Sequence, residues 1–355
     1  MRGLYIGSTS AYSGKNMITL GLGLKFQQDG LNLAYMKPVG AQAKQFGDVW
    51  GDEDAHMIQE ALGLEGDPDL VTPILITQDF IHKAFAPGVC VDRYPQIKAA
   101  YAKLGEKKDL VLMSGSGSFL HSGKYCCLDG VSVIKELDAK VVIIDRYVNE
   151  INYDYLLSIR EAIGDAMLGC VLNDIPSFYQ EELDRNLIPF LRSRGVEVLG
   201  VIPHDNLLGG ISVEALSTNL GGRLISASHR GDRVVESFLI GTMQIENFLT
   251  HFRKHPKAAV IVGGDRADLQ LVAIEGNCSC LILTGNLYPN DVILARAEAE
   301  EIPVLVVRDD TYSIAKRMDN LLKRHKFRSP AKFGQSRQLV AGNLDVKAIK
   351  AGLGL

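Results

Sequence analysis

Tryptophan occurs once, at Trp50, and proline only twelve times in 355 residues. No run approaches the roughly 18 to 20 uncharged apolar residues that a helix needs to cross a bilayer. The N-terminus enters a strand-like run without the three-part pattern of a signal peptide, so the cytoplasm is the expected compartment and no membrane partner is expected. Positive charge is not in excess: 38 basic against 42 acidic side chains leave a formal charge of −4. A global field that would recruit nucleic acid by counterion release is therefore absent. The six cysteines, Cys90, Cys126, Cys127, Cys170, Cys278 and Cys280, form no CxxC and no paired spacing with histidine that suits zinc. Most are expected to be reduced and buried. The histidines have no partners at metal or triad spacing, and Ser114, Ser116 and Ser118 complete no nucleophile elbow.

What is present is an ordinary globular composition, 46% hydrophobic and 23% charged, too long for one core and comfortable as two domains. Short continuous apolar runs, of the kind a strand shows when both its faces are covered, occur at Leu4 to Ile6, Leu33 to Met36, Asp109 to Met113, Val141 to Ile144, Met167 to Leu172 and Glu197 to Val201. Helical periods separate them, the first from about Lys15 to Gln28. Strands alternating with helices predict a parallel, doubly wound sheet, with the first loop at its carboxyl edge, where ligands bind. The segment Ile202-Pro203-His204-Asp205-Asn206 breaks the pattern and opens a second, smaller α/β unit of about 120 residues, a normal domain size. The expected boundaries are 1–203, 204–325 and a basic, glycine-containing tail at 326–355. That tail reads as weakly ordered, with Val340 to Leu353 a candidate docking helix.

The most informative segment is Gly7-Ser8-Thr9-Ser10-Ala11-Tyr12-Ser13-Gly14-Lys15-Asn16. A phosphate-binding loop needs small residues so that backbone N–H groups converge on the anion, a lysine to reach the terminal phosphates, and a helix start to supply its positive end. All three are here. Two departures stand beside them: six residues separate the glycines instead of four, and Asn16 stands where a Ser or Thr hydroxyl ordinarily ligates Mg²⁺. The alternative is a glycine-rich connection with an exposed lysine. The position directly between first strand and first helix favours phosphate.

This loop, Lys37-Pro38-Val39-Gly40 after the second strand, Asp52-Glu53-Asp54-Ala55, and the strand and loop from Asp109 to Gly117 together resemble dethiobiotin synthetase and its relatives. The resemblance is strongest to the dethiobiotin-synthetase-like domain at the N-terminus of some long phosphate acetyltransferases. The region from about His204 to Arg324, with Gly263-Gly264-Asp265-Arg266-Ala267-Asp268, resembles the DRTGG domain that follows it there. The resemblance covers about nine tenths of the chain and implies a P-loop NTPase-like domain followed by a smaller DRTGG-like domain.

By that resemblance the loop residues Ser10, Ala11, Tyr12, Ser13, Gly14, Lys15 and Asn16 hold ATP, or less favourably GTP. Lys37 lies near the transferred phosphate and the substrate carboxylate. Mg²⁺ is held in the region of Asn16, Asp52 and Asp54 and by a glutamate whose place Ser114 takes here. Asn173 reads the adenine ring, an amide offering both donor and acceptor to a base edge; an Asx turn before Pro176 is the equal alternative. Two altered metal positions, Asn16 and Ser114, favour nucleotide binding over efficient ligase chemistry. The implied function is a nucleotide-binding regulator or sensor linked to acetyl or acyl-phosphate metabolism, with weak or no hydrolysis. The alternatives are an ATP-dependent ligase of the synthetase type and a structural partner. Phosphate acetyltransferase activity is not expected of these residues alone. The DRTGG resemblance implies a homo-oligomer, and a protein partner in acetate metabolism is a further expectation. In the second unit Asp265 is expected to cap a helix and Arg266 to pair with a neighbour, an anion site at this helix start being the alternative.

Overall fold

The computed structural model describes residues 2–85, 91–205, 208, 210–255, 257–324 and 330–355. The chain divides into two compact units, residues 1–204 with 327–355 and residues 205–326. Cys90 and Asn206 lie outside the described residues, as does the start of the expected tail. Among the described residues no helix is long and apolar enough to cross a membrane.

The first unit is built on a six-stranded sheet: β1 (Gly3–Ser8), β2 (Leu33–Met36), β3 (Leu110–Ser114), β4 (Lys140–Arg146), β5 (Met167–Ile175) and β6 (Val198–Pro203). Every pairing is parallel, and the spatial order is β6-β5-β4-β1-β3-β2. Leu4, Ile6, Val111, Leu112 and the run Val141 to Ile144 are wholly buried, as continuous apolar runs require when helices cover both faces. Because β1 lies between β3 and β4, the loops leaving these three strands meet at one carboxyl edge, the place such sheets keep for ligands.

Helix α1 (Lys15–Gln28) has no polar face, since Met17, Ile18, Leu20, Leu22 and Phe26 point around its circumference and are all buried. A helix that is apolar all round must be covered on more than one side. Its second cover comes from the far end of the chain, where the helix Pro330–Asn343 lies along it. Gly21 permits the approach: a β-carbon there would lie 2.4 Å from a Val340 methyl. Leu344 then bridges to Gly200 of β6, and the helix Val346–Gly352 follows, its Lys350 pairing with Asp29 at 3.0 Å. The expectation of weak order beyond 326 thus gives way, from 330 on, to two docked helices. Their composition looks unpromising because their stability comes from the surface they cover.

Between β2 and β3 the chain adds a hairpin, Ala43–Phe46 with Val49–Asp52, and the helix α2 (Glu53–Leu62). Neither the hairpin nor the short parallel pair Val39–Gly40 with Ile74–Leu75 shows a clear periodic signal.

The second unit holds a five-stranded sheet in the order Arg223–Ser226, Val304–Val306, Cys280–Thr284, Ala258–Gly263, Ser237–Ile240. All pairs are parallel except the first, which is antiparallel. The unit also holds the helix Val213–Leu220 and the short antiparallel pair Ile211–Ser212 with Val234–Val235. Cys126, Cys170, Cys278 and Cys280 are free and buried, and burial raises the pKa of each thiol above its ordinary value.

Candidate functional site

The loop between β1 and α1 is organised by its own serines. The Ser8 hydroxyl donates to the Ser10 carbonyl at 2.6 Å, and the Ser13 hydroxyl donates to the same carbonyl at 2.9 Å. Tyr12 and Gly14 take left-handed conformations, φ 58° and 98°, with Ser13 between them outside that region. Such alternation turns successive N–H groups toward one concave side, the arrangement that binds anions. Among the described residues the N–H groups of Tyr12, Ser13 and Gly14 meet no protein acceptor. Ser10, Ala11 and Tyr12 are exposed, so the concavity is open to a ligand. Only glycine serves at position 14, because a β-carbon would lie 2.4 Å from the Asn173 amide nitrogen.

Lys15 opens α1 and is half-buried. Its Nζ donates to the Ser8 hydroxyl at 2.7 Å and to the Gly117 carbonyl at 2.9 Å. Burial, helped by the positive charge of Lys37, pushes its pKa down to about 7, against the opposing pull of Asp54. An ammonium held this way lacks a counter-anion, and a phosphate would supply one. Asn16 follows in the first turn, half-buried.

Lys37, at the end of β2, is buried with its Nζ 2.7 Å from Asp52 Oδ1 and 3.4 Å from Asp54 Oδ2. Asp52 is committed further: Oδ1 also accepts from the Ala55 N–H at 3.0 Å, capping α2, and Oδ2 accepts from the Gln42 N–H at 2.9 Å. Ser114, at the end of β3, shares a 2.6 Å hydrogen bond with the Tyr35 hydroxyl. Of the residues expected around magnesium, the structure therefore binds Asp52 and Ser114 into the protein's own framework. Asp54 is left holding Lys37 through its longer contact.

Asn173, near the end of β5, is buried, and its amide nitrogen donates to the Ser13 carbonyl at 2.9 Å. Neighbouring Asp174 takes φ 64° and receives Arg146 Nε and Nη2, each at 2.7 Å, on Oδ2. His204 Nδ1 lies 2.5 Å from its other oxygen. Burial alone would raise the Asp174 carboxyl, but the His204 hydrogen bond and Arg146 outweigh it and hold the pKa below the usual carboxylate range. Arg146 also reaches the Tyr12 carbonyl at 3.3 Å. Asp145, at the end of β4, accepts from Thr9 and from the Asn152 side chain and N–H, and burial raises its pKa.

The loops thus bring together Ser10 to Asn16, Lys37, Asp54, Ser114 and Asn173 at one sheet edge. Arg146, Ser8 and the Gly117 carbonyl join them without having been singled out. Arg146 carries a faint signal, as the residue that ends a buried strand and stands next to an acidic strand end.

In the second unit the helix Ala267–Glu275 starts after the loop Gly263-Gly264-Asp265-Arg266. Arg266 pairs with Asp268 at 2.8 Å, as expected. The Asp265 cap does not form: the cap position falls to Arg266, which makes no capping side-chain hydrogen bond.

A family model described as an AAA domain matches residues 2–212, and one described as a DRTGG domain matches residues 215–321. A phosphate acetyltransferase of Nitratidesulfovibrio vulgaris is 25% identical over 341 residues, which cover 90% of this chain and 47% of that protein. An ATP-dependent dethiobiotin synthetase of Methanococcus vannielii is 25% identical over 211 residues, 56% of this chain and 92% of that protein. The expected likeness to both is present, and the chain spans about half the length of the phosphate acetyltransferases it matches. Among solved structures, the MinD cell division protein of Aquifex aeolicus matches 59% of this chain and 84% of its own at 11% identity and a TM-score of 0.36. The CBS and DRTGG domains of a Clostridium perfringens pyrophosphatase match 42% of this chain and 72% of their own at 17% identity and a TM-score of 0.28.

Proposed function

The chain belongs to the AAA domain family, and on that footing we propose that residues 1–203 bind a nucleoside triphosphate, ATP before GTP, with Mg²⁺. In this reading residues 204–325 associate with a second copy and pass the state of the nucleotide site to a protein partner, in the setting of acetyl or acyl-phosphate metabolism. The observation that carries the reading is the open concavity of Tyr12, Ser13 and Gly14 N–H groups beside the Lys15 amine, which Ser8 and the Gly117 carbonyl hold and which no carboxylate contacts among the described residues.

Magnesium is commonly held by one or two carboxylates together with the phosphates themselves. The donors that fit it are Asp54 and Asn16, with Asp52 supplying charge from its cap position. The ion would draw negative charge from the phosphate oxygens. Lys15 would hold the terminal phosphates, and Lys37, already positioned by Asp52, would keep a second positive charge nearby. With Ser114 hydrogen-bonded to Tyr35 in place of a carboxylate, turnover is proposed to be slow.

The test is calorimetric titration of ATP with Mg²⁺ beside an assay of phosphate release. Saturable binding that Lys15→Ala abolishes, with little phosphate released, is the expected outcome. Absence of heat with ATP, GTP or their diphosphates would remove the reading. One observation favours a ligase instead: Lys37 is held in place by two acids, as a residue facing a reacting phosphate needs to be. ADP release dependent on a small carboxylate, and lost in Lys37→Ala, would establish that alternative.

A further inference from the structure

Two side chains outside the loop hold its apex from behind. The Asn173 amide donates to the Ser13 carbonyl at 2.9 Å, and Arg146 Nη1 donates to the Tyr12 carbonyl at 3.3 Å. Each contact falls on a different peptide unit. The chain has no cis peptide bonds among the described residues, and in a planar trans peptide the C=O and N–H point to opposite sides. Drawing the Tyr12 carbonyl toward Arg146 therefore turns the Ser13 N–H the other way. Drawing the Ser13 carbonyl toward Asn173 does the same for the Gly14 N–H. Both N–H groups belong to the concavity.

We propose that Asn173 and Arg146 are positioning residues that orient the Ser13 and Gly14 amides toward the phosphate chain. The inference rests on the nucleotide-binding reading and deepens it, assigning Asn173 to the phosphates instead of the base. The two anchors are themselves fixed. Asn173 is buried in β5, and its carbonyl accepts from the Tyr147 N–H at 2.9 Å. Arg146 is held by two nitrogens on Asp174 Oδ2, whose left-handed backbone aims the carboxylate, and His204 holds the other oxygen. The network thus extends from the loop apex to His204, the end of the first unit's N-terminal segment.

The experiment uses the full chain and three ligands: inorganic tripolyphosphate, ATP and GTP. A base reader contributes nothing to tripolyphosphate affinity, whereas an amide-positioning residue contributes equally to all three. Asn173→Ala and Arg146→Gln are expected to weaken every ligand by the same factor, about three- to tenfold, the ordinary worth of one hydrogen bond. Asn173→Ser and Asp174→Asn serve where the first variants lose their thermal transition. A loss confined to ATP, or affinities unchanged, overturns the proposal. A second readout needs no ligand. In chain labelled with ¹⁵N at serine and glycine, Arg146→Gln is expected to move the Ser13 amide resonance and Asn173→Ala that of Gly14. Unmoved resonances overturn the proposal even if nucleotide binds. Moved resonances in a chain that binds no phosphate leave the positioning intact and remove the nucleotide reading alone.

Discussion

Lys37 and Asp52 form a buried ion pair, Nζ to Oδ1 at 2.7 Å, across the floor of the candidate site. The pair joins the end of β2 to the start of α2, and through the Gln42 N–H it also holds the hairpin that carries Trp50. Its purpose is electrostatic as well as structural: it keeps one ammonium at the edge where Lys15 already lacks a counter-charge.

Removing one partner leaves a buried charge uncompensated, which costs about 3 to 5 kcal/mol. Lys37→Met is therefore expected to lower the urea midpoint sharply, and the Lys37→Met, Asp52→Asn double variant to recover part of the loss. Trp50, the only tryptophan and half-exposed on the hairpin, supplies the fluorescence signal. Equal midpoints for the single variant and the parent would contradict the buried pair.

Lys15 gives a pH signature. Its pKa in the folded chain is about 7, against about 10.4 in an unfolded one. Between these values the unfolded state binds more protons, so this group's contribution to stability rises with pH across that window. Below it, both states are protonated and the penalty is constant. The parent minus Lys15→Met difference in stability is expected to grow from pH 7 to pH 10, as measured by melting at each pH.

The same group predicts proton uptake on binding. A polyphosphate favours the ammonium and raises the Lys15 pKa, so at pH 8 binding draws protons from solution. Titrations in buffers of different ionisation enthalpy should give different heats in the parent and equal heats in Lys15→Arg. Buffer-independent heats in the parent would show that Lys15 is already charged in the free chain.

Gly14→Ala combines a left-handed backbone with a β-carbon 2.4 Å from Asn173. Strain of this kind costs about 1 to 3 kcal/mol. Lower thermal stability together with lost nucleotide binding is the expected result; a variant that binds normally would mean that the loop's concavity is not the phosphate site.

Gly21→Leu tests the docking of the helix Pro330–Asn343. Overpacking a well-filled contact costs about 1 to 3 kcal/mol, and the displaced helix should become the first site of limited proteolysis. Unchanged cleavage would mean that the helix is not held on α1 as described.

Much of the fold was legible because its signals are local. Buried strands such as Val141 to Ile144 are continuous apolar runs, and the glycine and serine loop before Lys15 announces a tight turn into a helix. The loop's place between β1 and α1 follows from chain order, and its place at the sheet's carboxyl edge from the handedness of parallel crossovers. The chain at 330–343 was not legible in the same way, although α1 held a clue: a helix with no polar face needs a second cover.

The sequence by itself determined many of the elements that form, that the first loop carries the small residues and lysine of a phosphate loop, and which residue types stand around it. The tertiary structure alone decided what those residues touch. It gave Asp52 to Lys37 and a helix cap, Ser114 to Tyr35, and Asn173 to a carbonyl 160 residues away. The reason is physical. Apolar periodicity and turn chemistry are set by neighbours along the chain, whereas a buried polar atom takes whichever partner the packed layers bring within 3 Å or so.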